Sequence, residues 1–185
     1  MEKSLILAPD SQRNMNVHGL LELYLRNCTA NFSRIMAVTN PPLPGRSVAI
    51  PPNGPAIQYP LILSSNETSN FYAFMHCHRG LTMSENLALY HAKQCKGTLF
   101  TNDGKLQDTA YLYGIQVLDL RWLYAELVRS KQLSIHEAYD GYMRVYVSAS
   151  SYGSLNDLKL YFIKEKIISV EEGSLDGNVS YKRAI

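Results

Sequence analysis

Apolar residues change period several times between Gly80 and Val128, and each change marks an element. Leu87, Ala88, Leu89 and Ala92 recur at helical spacing over residues 85–94, and Gly97 stops that helix. Thr98, Leu99, Phe100 and Thr101 form a short apolar, β-prone run, the pattern of a buried strand. Asn102-Asp103-Gly104 is a turn signal that ends it. Leu106, Ala110 and Tyr113 resume helical spacing, and Gly114 closes that helix. Residues 115–118 read as a second strand and 120–128 as a third helix, with Leu123, Leu127 and Val128 on one face. Helices and strands alternating through short connections predict an α/β fold, a three-layer α/β/α arrangement around a central parallel sheet.

The same reading extends to both ends of the chain. Residues 4–8 form an apolar strand followed by Pro9-Asp10-Ser11. Val17, Leu20, Leu21, Tyr24 and Leu25 mark an amphipathic helix over 17–27, and residues 29–38 are open to a second helix. Residues 40–60 hold seven of the eight prolines, so they read as a long loop with one short strand at 47–50. A loop of that length is a lid, an interface arm or a mobile segment. Residues 61–63 read as a strand, and Ser64-Ser65-Asn66 caps a helix that starts at Glu67. Ser134 with Glu137 three residues on is a capping box that opens a helix over 134–147. Residues 148–154 are a small-residue linker, and 155–168 fit helix or strand. The predicted organisation is an α/β domain over 1–147 and an extension over 148–185, an oligomer arm or partner-binding element.

Composition narrows this picture only modestly. A chain of 185 residues with 46% hydrophobic and 18% charged content is long enough for a real core. A net charge of +2 does not predict a broad nucleic-acid-binding surface, so any RNA contact has to be local. Three cysteines build no disulfide framework. No secretory pattern and no bilayer-length apolar run is present, which sets the expectation of a cytoplasmic protein without a membrane partner. His76, Cys77, His78, His91 and Cys95 match no standard zinc spacing.

Functional residues of parallel sheets collect past the carboxyl ends of the strands. Asp103 sits at such an end and Glu85 opens the preceding helix, so two carboxylates can converge as a hard-cation site. The competing reading is local: Asp before Gly is a common turn pair, and Glu in a first helical turn is favoured by the macrodipole.

Over residues 80–128 the chain resembles the C-terminal half of a PIN domain, the fold of many metal-dependent ribonucleases. The resemblance rests on Leu81-Thr82-Met83-Ser84-Glu85, Leu99-Phe100-Thr101-Asn102-Asp103, Lys105-Leu106 and Gly114-Ile115-Gln116-Val117, which come in the family's order and spacing. It covers about a quarter of the chain. It implies a PIN-like α/β fold in which Asp10, Glu67, Glu85 and Asp103 hold Mg²⁺ or Mn²⁺. Ser11, Asn102 and Lys105 would orient phosphate or water. It also implies RNA as substrate, with an antitoxin or other protein partner, or a homo-oligomer. One departure is clear: the family places Asp directly after the first strand with Asn soon behind, whereas here Pro9 intervenes and Asn14 comes late. The alternative is a PIN-like binding or assembly module without catalysis. A nucleotide-binding protein of another doubly wound family is a weaker third reading, because no Gly-rich fingerprint follows the first strand.

Overall fold

The fold is built outward from Ser4–Leu7, a strand (β1) whose four residues are all buried. A computed structural model describes residues 4–11, 20, 32, 34–37, 57–58, 63, 65–148 and 154–168. Further strands are Arg34–Ala37 (β2), Ile57–Gln58 (β3), Thr98–Phe100 (β4) and Val117–Leu118 (β5). They form one sheet in the order β3-β2-β1-β4-β5, and every pair is parallel. The helices are Ser65–Cys77 (α1), Met83–Gln94 (α2), Gly104–Leu112 (α3), Leu120–Arg129 (α4), Ile135–Ser148 (α5) and Leu155–Lys164 (α6).

A strand's side chains alternate between faces, so a central strand covered on both sides must be apolar throughout. Leu5 and Leu7 enter one core with Phe100, Leu123, Leu127, Val145, Leu158 and Phe162. Ile6 and Ala8 enter a second core with Leu89, Ala92, Leu99, Leu106 and Ala110. Helices α4, α5 and α6 therefore cover one face, and α2 and α3 the other. Each large side chain fully buried this way contributes roughly 1.5–3 kcal/mol.

The helices start where their capping residues dictate. Thr82 and Glu85 form a capping box on α2, Asp103 caps α3 and Asp119 caps α4. Ser134 and Glu137 exchange hydrogen bonds at the start of α5, as the sequence predicts.

Three expectations change. Residues 34–37, open to a helix, form a strand, because pairing with β1 decides a short apolar run that local periodicity leaves ambiguous. The short strand of the proline-rich region lies at Ile57–Gln58, while the predicted 47–50 lies outside the described residues. Residues 155–168 are not a separate appendage: Leu158 and Phe162 are fully buried in the core that holds Leu5 and Leu7. Residues 61–62 of the expected strand and all but Leu20 of the helix expected at 17–27 lie outside the described residues, and Leu63 is not in a strand. No helix among the described residues is long and apolar enough to cross a membrane.

Gly97 enters β4 against β1. A Cβ there would lie 2.6 Å from Ile6 Cδ1, 2.9 Å from Cys95 Sγ and 3.0 Å from the Ser4 carbonyl oxygen. Gly97→Ala is expected to cost roughly 1–3 kcal/mol of stability by overpacking. At about 2–4 °C per kcal/mol for a chain of this size, a thermal melt reads that directly. Gly104→Ala is the control, since nothing lies within 4 Å of a Cβ there. A Gly97→Ala melt that overlays the wild type would overturn this account of the β1–β4 contact.

Candidate active site at the carboxyl ends of the strands

In the order β3-β2-β1-β4-β5, the chain leaves β1 toward one side and later returns to its other side at β4. The carboxyl ends of β1 and β4 therefore flank a switch point, where an open α/β sheet leaves a crevice. Pro9-Asp10-Ser11 lies at one end and Thr101-Asn102-Asp103 at the other. Pro9 starts a helical turn over 9–11, a position that suits its fixed φ and missing N–H. Asp10 lies three residues past the end of β1 yet still reaches β4.

Asp10 is tied there by neutral donors. Its Oδ2 accepts from the Asn102 N–H at 3.2 Å and from Ser11 Oγ at 3.1 Å. Its Oδ1 accepts from Thr101 Oγ1 at 3.3 Å. Thr101 Oγ1 in turn accepts the Asp103 N–H at 3.1 Å, so a single hydroxyl links the two acidic positions. Burial pushes the Asp10 carboxyl above its ordinary range, and these hydrogen bonds oppose the shift without cancelling it. Among the described residues no cation stands against it.

Asn102 joins three strand ends. Its backbone donates to Asp10, its Nδ2 donates to Ser11 Oγ at 3.1 Å, and its Oδ1 accepts from Leu120 N at 2.9 Å. The side-chain amide helps hold β1, β4 and the start of α4 together, using one of its two N–H donors among the described residues. Ser11, fully buried, belongs to the same network.

The remaining carboxylates lie in different settings. Asp103 Oδ1 accepts from Leu106 N at 2.8 Å as the cap of α3, and its second oxygen takes no hydrogen bond among the described residues. Glu85 Oε2 accepts from Thr82 N at 2.6 Å in the capping box of α2. Lys105 reaches across to the same edge, its ammonium lying over Gly80. Glu67 is not brought to this site. Helices α1 and α2 form an antiparallel pair, with Phe71 packed on Tyr90 at 5.6 Å between centroids and Asn86 Nδ2 donating to the His78 carbonyl at 3.4 Å. The start of α1 therefore lies toward the end of α2, where the Glu67 charge acts on His91. From Glu85 to His91 is about 9 Å along the helix at 1.5 Å per residue. No group of three or more His, Cys, Asp and Glu among the described residues is arranged to hold a metal, so the four expected acids do not meet as a set.

Within the histidine and cysteine group, His78 has a structural role. His78 Nδ1 donates to the Phe74 carbonyl at 2.8 Å, which leaves Nε2 to accept from Tyr113 Oη at 2.8 Å. Both ring nitrogens are used. Lys93 lies over the Tyr113 ring at 4.4 Å and closes the cluster.

One acid at this edge escapes the sequence reading. Asp119, at the end of β5, is nearly buried and caps α4 through Arg121 N at 2.9 Å and Trp122 N at 3.2 Å. Its Oδ2 also pairs with the Arg121 guanidinium, with Nε at 2.8 Å. An acid between a strand and an amphipathic helix is the available signal for it.

A carboxyl with a raised pKa makes the folded state hold its proton to higher pH than the unfolded chain. Below the ordinary carboxylate value both states are protonated and nothing is lost. As pH rises through the interval up to the raised value stability falls, and above it the loss is complete. Asp10→Asn is therefore expected to raise the thermal midpoint at pH 7, with the gain closing as pH falls below the ordinary carboxylate range. A pH series of melts checks this, and a variant less stable than wild type at pH 7 would contradict it.

No protein-family model matches the chain, and comparisons with curated proteins and with solved structures found no significant match.

Proposed function

We propose that this chain is a metal-dependent ribonuclease of PIN-like fold whose site lies at the switch point, with Asp10 and Asp103 as its Mg²⁺ or Mn²⁺ ligands. The observation that carries the reading is Asp10: a partly buried carboxyl at the switch point, held only by neutral donors among the described residues. Perturbed acids in a cleft cluster at functional sites. The donor set fits a hard cation, because every candidate donor is oxygen and Mg²⁺ takes one or two carboxylates while keeping several waters. A bound ion lowers the pKa of its water and offsets charge on a phosphodiester. The protein's own share is positional. Thr101 and Asn102 fix the Asp10 oxygens, the α3 cap fixes Asp103, and Lys105, over Gly80 at the same edge, offers a cation to the substrate backbone. The motif order over 80–128 supports the same reading, and by that resemblance the partner would be an antitoxin.

A second reading has its own support. Glu85 and Asp103 both serve as helix caps and Glu67 lies toward the far end of α2, which fits a PIN-like binding module without catalysis.

Mn²⁺ calorimetry with the wild type, Asp10→Asn and Asp103→Asn separates the two. Asn is as good a cap as Asp, so Asp103→Asn preserves α3. Binding in the micromolar-to-millimolar range that both variants lose, together with Mn²⁺-dependent cleavage of RNA, is expected. Absence of binding in the wild type would leave the non-catalytic module.

A further inference from the structure

We infer that Arg121 binds a backbone phosphodiester of the RNA beside the switch point, and that Asp119 and Tyr161 position it for that contact. This rests on the ribonuclease reading and specifies how the substrate strand is gripped.

Asp119 holds the start of α4 and the Arg121 guanidinium at once. An ionised carboxylate offers about four acceptor positions. Oδ1 uses two, on Arg121 N and Trp122 N, and Oδ2 uses two, on Arg121 Nε and Nη2. Asp119 is saturated. A metal could take it only by breaking the α4 cap or the ion pair, so what its geometry accomplishes is to aim a guanidinium.

Arg121 is then held on two sides. Its inner edge forks onto Asp119, and its plane lies 5.7 Å from the Tyr161 ring centroid. The side chain is nevertheless 38% exposed. The carboxylate of Asp157, whose charge acts on Arg121, turns its Oδ2 to Ser154 N and Oγ at the start of α6. Among the described residues no second acid takes the outer edge of Arg121, which keeps its Nη1 donors for a ligand. A planar fork fixed in advance loses little freedom on binding and matches phosphate geometry.

Its position joins it to the acidic site. Leu120, the adjacent residue, donates its N–H to Asn102 Oδ1, and Asn102 donates its own N–H to Asp10. Asp10, Asp103 and Arg121 therefore occupy one edge of the sheet. A site of acids repels an RNA backbone, and a net charge of +2 supplies no general basic field. Local cations must do that work, and Arg121 is pre-oriented for it.

The test is binding of a short fluorescent oligouridylate to the full chain over a salt series, with Ca²⁺ replacing Mg²⁺, beside Mn²⁺ calorimetry and melts. Arg121→Gln should keep Mn²⁺ binding and lose several-fold in RNA affinity. Its slope of log K against log salt should be shallower by about 0.7, the value for one phosphate contact on a single strand. Tyr161→Leu keeps the charge but removes the ring beneath it. It should weaken binding with the slope unchanged, which tests the inference even if Arg121→Gln folds poorly. Wild-type affinity and slope in Arg121→Gln, with Mn²⁺ binding intact, would overturn the inference and leave the ribonuclease reading standing. Displacement of the oligonucleotide by an equal phosphate concentration of inorganic phosphate would also overturn it, because the site would then take a free anion. A wild type that binds neither Mn²⁺ nor RNA removes the ribonuclease reading itself, and this inference with it.

Discussion

A partly buried carboxylate just past the central strand is the constraint around which this molecule is arranged. Asp10 can sit there only because three neutral groups from two strand ends point at it. Those groups require β1 and β4 to be neighbours in register, with Leu5 opposite Thr98 and Leu7 opposite Phe100. That pairing in turn requires an apolar face on each side of β1, met by two separate cores. Local hydrogen bonding and global topology thus meet at one residue.

Helix capping competes with metal binding for the same side chains. Acids at the first turn of a helix satisfy N–H groups that have no partner within the helix. Glu85, Asp103 and Asp119 all do so, at the starts of α2, α3 and α4. In a parallel α/β sheet those helix starts lie at the same edge as the strands' carboxyl ends, so acids gather there for structural reasons alone. What separates Asp10 is that its bonds come from hydroxyls and from the backbone of the neighbouring strand end. Asp119 shows the opposite limit, a carboxylate whose acceptor positions are all occupied.

The C-terminal helices belong to this argument. Helix α6 buries Leu158 and Phe162 under the sheet and sets Tyr161 against Arg121, while Arg129 pairs with Glu126 and with Glu165 just beyond α6. Residues that read as an extension instead complete one face of the core and brace the start of α4 beside the crevice.

Much of the fold was legible in the sequence because periodicity and capping are local. The alternation over 80–128, the turn at 102–104, the Ser134 capping box and the apolar run at 4–8 each predict an element that is present. The edge at which Asp10 and Asp103 lie follows from the same pattern, since parallel strands place their carboxyl ends together. What local pattern could not decide was the assignment of short segments and the pairing of distant ones. Residues 34–37 became a strand through pairing with β1, and Leu155–Lys164 became a core helix through burial against α4 and α5. The resemblance implied Glu67 as a ligand, but only the antiparallel packing of α1 on α2 decides which end of the sheet that helix start faces. Sequence spacing determines which residues can share a face of one element. Which elements meet, and therefore which acids share a crevice, is decided by packing between surfaces far apart in the chain.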